Sequence, residues 1–167
     1  TRLPHIPDFQ LLRCIGRGSY GEVWLARGVT GYHRAVKIVH RSSFAEDRPY
    51  EREFSGIKKF QAVSHSQENL VNILHVGRND EAAYFFYIME LADDEVLGQA
   101  VDPARYAPKS LASELRKRGC LPPEECVSFM LHLTTALDHL HRQGRIHRDI
   151  KPANIMYVRG TPKFADI

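Results

Sequence analysis

Apolar and polar positions alternate along the first part of the chain, with glycines between the apolar runs. From residue 9 to residue 40, aromatic and β-branched residues are interrupted by Gly16, Gly18, Gly21, Gly28 and Gly31. Short apolar runs that end at glycines are typical of strands joined by tight turns. The pattern predicts three antiparallel strands in this stretch.

Between residues 46 and 63 the apolar period changes to that of a helix. Apolar side chains recur at helical spacing among charged ones, at Tyr50, Phe54, Ile57, Phe60 and Ala62. Two strand candidates follow, at 71–76 and 83–89, separated by the turn-like sequence GRNDE. Periods of 3.6 and 2 residues distinguish these two kinds of element. We therefore expect two more strands and one helix.

The second half of the chain is predicted to be mostly helical. Residues 92–108 carry acids, two prolines and no clear period, which indicates a loop or hinge insertion. A short helix is predicted at 110–118 and a longer one from Leu121 to Gly144. The apolar stripe of the longer helix consists of Val127, Met130, Leu131, Thr134, Leu137 and Leu140. Two short strands, 155–158 and 162–165, complete the prediction.

These elements predict an α+β fold with a domain boundary near residue 92. The first part, about 9–91, holds the sheet and its helix. An insertion occupies 92–109, and a mainly helical part covers 110–167.

Composition excludes several other classes of protein. The chain has 167 residues, of which 43% are hydrophobic and 26% charged, as in ordinary globular domains. Lys and Arg number 23 against 20 Asp and Glu, and a net charge of +3 is too small to indicate a nucleic-acid partner. The longest apolar run, 82–89, is shorter than the roughly 18 residues that suggest a membrane span. The first residues carry no secretory signal, and three cysteines at unrelated spacings favour a reducing compartment. We therefore expect a cytoplasmic location.

A glycine-rich motif follows the first predicted strand. Gly16, Gly18, Gly21 and Val23 form the pattern GxGxxGxV, whose glycines resemble those of a dinucleotide-binding turn. In that turn a helix follows the last glycine, whereas here the alternating sequence EVWLAR follows. A hairpin over phosphates fits better, because glycine lets backbone N–H groups approach phosphate oxygens in conformations that a side chain disfavours. A glycine-rich hairpin without a ligand remains an alternative.

A lysine interrupts the apolar strand Ala35–Val39. Burying an unpaired ammonium group is costly, so Lys37 needs an anionic partner. The helix supplies Glu51 and Glu53, and its apolar alternation favours Glu53. A lysine that reaches solvent from a strand edge is the simpler alternative.

The segment HRDIKPAN, at residues 147–154, concentrates ionisable groups into eight positions. Together with GRGSYGEV, AVKIV and the acidic helix, it resembles the eukaryotic-type protein kinase family. Lys151, two residues after Asp149, resembles the serine/threonine branch. The resemblance runs from about Phe9 to the C-terminus, and the sequence HRQGRIHRDIKPANIM is similar to bacterial members.

The resemblance implies ATP and Mg²⁺ as cofactors and a bilobal fold. Asp149 would orient the substrate hydroxyl and accept its proton, and Lys151 would hold the γ-phosphate. Asn154 and Asp166 would bind Mg²⁺. Lys37 would bind the α- and β-phosphates, with Glu53 fixing it in place. The remaining nucleotide-binding positions are Ile15, Gly16, Arg17, Gly18, Ser19, Tyr20, Gly21, Glu22, Val23, Ala35, Met89 as gatekeeper, and the backbone of Glu90 and Ala92.

Two other residues of the motif have implied supporting roles. His147 would hold the catalytic loop without titrating in the reaction. Arg148 would pair with a phosphate of an activation loop.

The chain departs from the family pattern at its end. The family's magnesium motif is Asp-Phe-Gly, and this chain reads Asp166, Ile167 and stops. We expect metal binding to survive this change, and the chain resembles a truncated kinase domain. Such a truncation predicts an exposed apolar face on the helix 121–144, and hence self-association. The fragment itself is expected to bind ATP at best.

The leading interpretation is a kinase that phosphorylates Ser and Thr hydroxyls of proteins. A nucleotide-binding pseudokinase or scaffold is the alternative, which intact Lys37, Asp149, Asn154 and Asp166 disfavour. A small-molecule phosphotransferase with a kinase-like fold usually lacks so complete a glycine loop.

Overall fold

The computed structural model describes residues 3–18 and 20–166. The strands and helices in chain order are β1 (Phe9–Gly18), β2 (Gly21–Gly28), β3 (His33–His40), α1 (Asp47–Ser64), β4 (Ile73–Asn79), β5 (Tyr84–Met89), α2 (Leu111–Arg118), α3 (Pro123–Arg142), β6 (Ile155–Val158) and β7 (Thr161–Phe164). Two single 3₁₀ turns lie at Arg41–Ser43 and Pro152–Asn154.

The chain forms two compact units. The sheet unit contains β1 to β5, α1 as far as Ala62, and Pro103–Arg105. Its five strands are antiparallel in the order β1-β2-β3-β5-β4. The helical unit contains α2, α3 and the separate β6–β7 hairpin. This architecture confirms the predicted α+β fold, with a five-stranded sheet and one helix followed by helical elements.

Both faces of the sheet are covered at β3 and β5, which explains their nearly continuous apolar sequences. On one face Val36, Ile38, Phe86 and Ile88 join a buried apolar cluster. On the other face the ring of Phe85 packs against Tyr50 and Phe54 of α1, each at 5.2 Å between ring centroids. Burial of these rings holds α1 on the sheet.

β4 is longer than the sequence predicts and extends through part of the predicted turn. Gly77 pairs with Phe86, whose ring lies so close that a Cβ at Gly77 would come within 2.3 Å of it. This glycine makes room for an aromatic ring inside a strand, and it was wrongly read as a turn residue. The turn itself lies after Asn79, whose side chain accepts a hydrogen bond from the N–H of Ala82 at 2.9 Å.

In the helical unit, α3 buries one side and exposes another. Leu133, Ala136 and Leu140 are fully buried. Most of the predicted stripe faces solvent, since Val127 is 61% exposed, Met130 55% and Leu131 63%. The expected exposed apolar face is therefore present, and Leu140 alone of that stripe is fully buried. Self-association through this face stays a prediction.

No helix among residues 3–18 and 20–166 has both the length and the apolar character needed to cross a bilayer.

Candidate active site

The glycine motif forms the closed end of the β1–β2 hairpin. Gly16 pairs with Val23, and Gly18 pairs with Gly21 across the hairpin. A strand, not a helix, follows the last glycine, as the alternation of EVWLAR predicts. Ser19, another predicted site residue, lies outside the described residues.

The three glycines have different local surroundings. A Cβ at Gly21 would lie 2.1 Å from the carbonyl oxygen of Ile38, so the neighbouring strand excludes any side chain there. A Cβ at Gly16 would make an ordinary contact of 3.7 Å with Val23. At Gly18, no atom of the described chain lies within 4 Å of such a Cβ. The space beside Gly18 is therefore open.

The expected backbone reason for these glycines is wrong in this structure. The residues with positive φ include Gly31, Gly98 and Gly119, and Gly16, Gly18 and Gly21 are not among them. All three belong to strands, where extended backbone suits any residue. Close approach, not unusual backbone conformation, is the property that glycine provides here.

Side chains around the hairpin end are joined to one another. Arg17 lies 3.4 Å from the carboxylate of Glu22, which also accepts a hydrogen bond from the Trp24 indole at 3.1 Å. The ring of Tyr20 stacks on Phe44 with 5.0 Å between centroids. These contacts give the hairpin end a defined arrangement.

Lys37 lies in β3 in the same row of the sheet as the glycine motif. It pairs with Val23 on one side and with Tyr87 on the other. Its ammonium group lies 5.8 Å from the centre of the Tyr87 ring. Ala35, two residues earlier, is buried and pairs with Met89. Strand register therefore brings the predicted phosphate and adenine positions into rows that are two residues apart along β3.

The expected pair between Lys37 and Glu53 is absent from the described chain. Glu53 is exposed, and within residues 3–18 and 20–166 no hydrogen bond or ion pair joins it to Lys37. Instead, Glu51 accepts two hydrogen bonds from Arg78, both 2.8 Å long, which hold the pKa of Glu51 below its ordinary value. The Arg78 guanidinium also covers the ring of Phe54, so α1 is fixed through these groups and Glu53 stays in solvent.

Met89 ends β5, and Glu90 follows it. Met89 pairs with Ile73 as well as Ala35. The N–H of Glu90 donates to the carbonyl of Asn72 at 3.2 Å, and its carboxylate accepts from the N–H of Asn72 at 3.0 Å. This double contact fixes the backbone at the predicted hinge.

In the helical unit, the segment 147–154 brings three predicted residues together. The carboxylate oxygen Oδ2 of Asp149 accepts hydrogen bonds from Lys151 Nζ at 2.7 Å and from Asn154 Nδ2 at 2.8 Å. Asn154 Nδ2 also donates to the backbone carbonyl of Asp149 at 2.9 Å. The hydrogen bonds from Lys151 and Asn154 lower the pKa of Asp149, because both favour the ionised carboxylate.

Asp166 is brought close to Asn154 by the backbone. The N–H of Ala165 donates to the carbonyl of Asn154 at 2.9 Å. Asp166 itself is exposed and has a φ of 61°, a conformation that few residues other than glycine adopt. Ile167, which replaces the aromatic residue of the family motif, lies outside the described residues.

His147 supports this segment from below the surface. It is buried, its ring contacts Phe164 edge to face at 4.9 Å, and its Nδ1 accepts a hydrogen bond from the N–H of Asp149 at 3.4 Å. Burial lowers the pKa of the imidazole, so the neutral form is favoured. These contacts fit a structural role. Arg148 is exposed with a φ of 66°, and its pairing with a phosphate stays a prediction.

Sequence reasoning missed Asp93, which lies in the predicted insertion. Its two carboxylate oxygens accept hydrogen bonds from the N–H groups of Arg159 and Gly160, each 2.8 Å long. Those residues form the β6–β7 turn. A pair of acids that begins four residues after the end of an apolar strand is the available signal, but it does not identify a partner 66 residues away.

Comparison of the sequence with known proteins identifies a family and several relatives. The protein kinase domain family matches residues 9–167. A probable serine/threonine-protein kinase of Clostridium perfringens is 31% identical over 95% of this chain, which spans 21% of that protein. The serine/threonine-protein kinase PrkC of Bacillus subtilis is 30% identical over 89% of the chain, spanning 20% of that protein. Sperm motility kinase 2B of Mus musculus is 31% identical over 95% of the chain, spanning 29% of that protein.

The chain thus spans less than a third of the length of these relatives. The family match nevertheless covers the glycine hairpin, the strand lysine and the segment around Asp149. The chain belongs to the protein kinase domain family and is similar to its serine/threonine kinases.

Proposed function

We propose that this chain is part of an ATP-dependent serine/threonine protein kinase. The reaction is transfer of the γ-phosphoryl group of Mg-ATP to Ser or Thr hydroxyls of proteins. The observation that carries the proposal is the arrangement at Asp149, whose carboxylate holds Lys151 at 2.7 Å and Asn154 at 2.8 Å within a chain of the kinase family. The same proposal divides the chain into a nucleotide-binding part at about 9–91, an insertion at 92–109 and a part with the catalytic segment at 110–167.

Asp149 is suited to orient a hydroxyl group and take its proton. The hydroxyl oxygen of the substrate forms the new bond to phosphorus, the bond to the β-phosphate oxygen breaks, and the hydroxyl proton passes to Asp149. A lowered pKa keeps Asp149 ionised at neutral pH. Lys151, hydrogen-bonded to that carboxylate, supplies a positive charge for the transferred phosphoryl group.

Residues of the sheet unit, together with the backbone of Ala92, are proposed to bind the nucleotide. Backbone N–H groups from Ile15 to Val23 would meet the phosphates, and Gly18 leaves space for that approach. Lys37 would bind the α- and β-phosphates. Ala35 and Met89, paired across β3 and β5, would contact adenine together with the backbone of Glu90 and Ala92.

Asn154 and Asp166 fit a magnesium site by their donor atoms. Both hydrogen bonds of Asn154 Nδ2 go to Asp149, which leaves the amide oxygen as the atom suited to a cation. Asp166 is exposed and directly follows Ala165, whose N–H donates to the carbonyl of Asn154. Bound Mg²⁺ supplies positive charge that offsets the charge of the phosphates.

For the 167-residue chain itself, we propose nucleotide binding with little or no phosphoryl transfer. A second candidate, a nucleotide-binding pseudokinase or scaffold, is favoured by one observation: the exposed Glu53 forms no ion pair with Lys37 in the described chain. Nucleotide binding without transfer by a longer protein would support that candidate.

Nucleotide binding is tested by the melting temperature of the chain with and without Mg-ATP. A ligand that binds only the folded state raises stability, by about 5–10 °C at roughly 100 times its Kd. Lys37→Ala should lose most of this shift. Lys59→Ala is the matched control, because Lys59 is an exposed helix residue. An equal shift in wild type and Lys37→Ala would contradict the assignment of Lys37.

A further inference from the structure

The segment 92–108 has no helix or strand, yet its backbone is held by buried side chains. The carboxylate of Asp94 accepts hydrogen bonds from the N–H groups of Val96 and Leu97 at 2.8 Å and of Ala107 at 2.9 Å. Asp94 is itself buried. Three such bonds to one buried carboxylate define the path of the segment and return it towards its start.

This path places Tyr106 against the first residue of the segment. Tyr106 is only 2% exposed, and its hydroxyl donates a hydrogen bond to the carbonyl oxygen of Ala92 at 2.9 Å. Its backbone N–H donates to the carbonyl of Asp102 at 2.8 Å. The long tyrosine side chain is thus committed to one backbone carbonyl.

The peptide group between Ala92 and Asp93 is bonded at both ends. Its oxygen accepts from Tyr106, and its N–H donates to the carbonyl of Tyr157 at 2.7 Å. The next carbonyl, that of Asp93, accepts from the N–H of Lys109 at 2.7 Å. A peptide plane held at both ends fixes the positions of the Ala92 Cα and carbonyl group, which lie in that plane. The carbonyl side of Ala92 is therefore held before any ligand binds.

We propose that Tyr106 is a positioning residue for nucleotide binding, acting through Ala92. Its hydroxyl holds the carbonyl side of Ala92, so that less of this residue has to be ordered when its backbone N–H meets the adenine ring. This inference rests on the proposed function, in which the backbone of Ala92 bonds adenine. A preformed contact binds more tightly because the cost of ordering it is not met at binding. The insertion is thus a support for the adenine contact.

The test compares two tyrosines in matched surroundings. Tyr84 is 3% exposed, and its hydroxyl also donates to a backbone carbonyl, that of His5, at 2.7 Å. Tyr84→Phe and Tyr106→Phe each remove one hydroxyl and one such bond, so their losses of melting temperature should be similar. Tyr84 is paired with His40 and Asn79, outside the proposed nucleotide positions.

Affinity is measured by calorimetry for Mg-ATP and, by competition, for Mg-inosine triphosphate. In adenine, one ring nitrogen would accept a hydrogen bond from the N–H of Ala92. In inosine the corresponding nitrogen carries a proton and cannot accept, so bound Mg-inosine triphosphate lacks this hydrogen bond. Tyr106→Phe should raise the Kd for Mg-ATP about three- to tenfold, as expected for one hydrogen bond. It should leave the Kd for Mg-inosine triphosphate nearly unchanged. Tyr84→Phe should change neither value.

Equal Mg-ATP affinity in wild type and Tyr106→Phe would overturn the proposal, as would equal losses for the two nucleotides. If wild type binds no Mg-ATP, the proposed function fails first, which a normal melting transition of the same sample distinguishes from misfolding. If Tyr106→Phe does not fold, the hydrogen exchange rate of the Asp93 amide in the wild-type chain tests the proposal instead. Protection without nucleotide supports a prearranged Ala92, and rapid exchange contradicts it.

Discussion

The glycine hairpin and the catalytic segment hold functional groups in different ways. In the sheet unit, Gly16, Val23 and Lys37 lie in consecutive strands and are aligned by regular backbone pairing. In the helical unit, Asp149 lies in irregular backbone and Asn154 ends a single 3₁₀ turn, and the two are aligned by side-chain hydrogen bonds. Arg148, which precedes Asp149, and Asp166, which follows the Ala165 contact with Asn154, both have positive φ. Such a backbone conformation costs about 1–3 kcal/mol of conformational free energy at each residue.

This difference shows which contacts must form before each region is ordered. A strand register is specified by alternation, and the sheet core then holds it. Irregular backbone depends on individual acceptors and donors, as at Asp93 and His147. Single polar substitutions should therefore disturb the helical unit more than the sheet unit, where steric contacts dominate.

The largest effect is expected within the hairpin, from adding one methyl group. Gly21→Ala places a Cβ about where the Ile38 carbonyl lies, 2.1 Å away, so β2 and β3 must separate locally. We expect a loss of about 3 kcal/mol or more in the free energy of unfolding. Gly18→Ala is the matched control and should stay within about 0.5 kcal/mol of wild type. Equal effects in urea denaturation would show that strand packing does not govern this region.

A smaller loss is expected in the helical unit from removing one buried acceptor. Asp93→Ala leaves the N–H groups of Arg159 and Gly160 without their carboxylate, at a cost of about 2 kcal/mol. Asp138→Ala, at an exposed ion pair with Arg142 on α3, should cost less than about 1 kcal/mol. Chemical denaturation measures both. A neutral Asp93→Ala would contradict the dependence of this region on side-chain acceptors.

The smallest effect concerns pH and His147. Because burial holds the pKa of His147 below its ordinary value, the unfolded chain binds more protons once the pH falls below about 6.5. Stability from the neutral imidazole is complete above that pH and is lost as the pH falls towards the lowered value. His33 shifts in the same direction, so His147→Leu should reduce the acid-dependent loss without abolishing it. Thermal melts between pH 5 and 8 measure this loss. An equal pH dependence of the melting temperature in wild type and His147→Leu would show that His147 is not involved.

The sheet could largely be predicted from sequence, for a physical reason. Alternation and burial locate β1, β2, β3, β5 and α1, because each depends on neighbours in sequence. Gly77 misled the prediction of β4, since the ring of Phe86 that it accommodates comes from another strand. The pairing of Glu53 with Lys37 also depends on how α1 is held, and Arg78 with its partner Glu51 sets that position.

The candidate site could be predicted only where a motif marks it. The spacing of Asp149, Lys151 and Asn154 indicated residues that the structure does bring together. Asp94 and Tyr106 lie in a segment without a period or a motif. The hydrogen bond of Asp94 with Ala107 joins residues 13 positions apart, and that of Tyr106 with Ala92 joins residues 14 positions apart. Contacts of this kind follow from the folded path of the chain, which local pattern does not specify.

The most direct test of the central claim is phosphoryl transfer by a protein that contains these residues and extends past Ile167. Transfer of the γ-phosphoryl group to serine or threonine of a general protein substrate is measured for wild type, Asp149→Asn and Asp138→Asn. The account predicts activity in wild type and Asp138→Asn, and a loss of about a thousandfold or more in Asp149→Asn. Mg-ATP binding without any transfer in wild type, or undiminished transfer in Asp149→Asn, would contradict it.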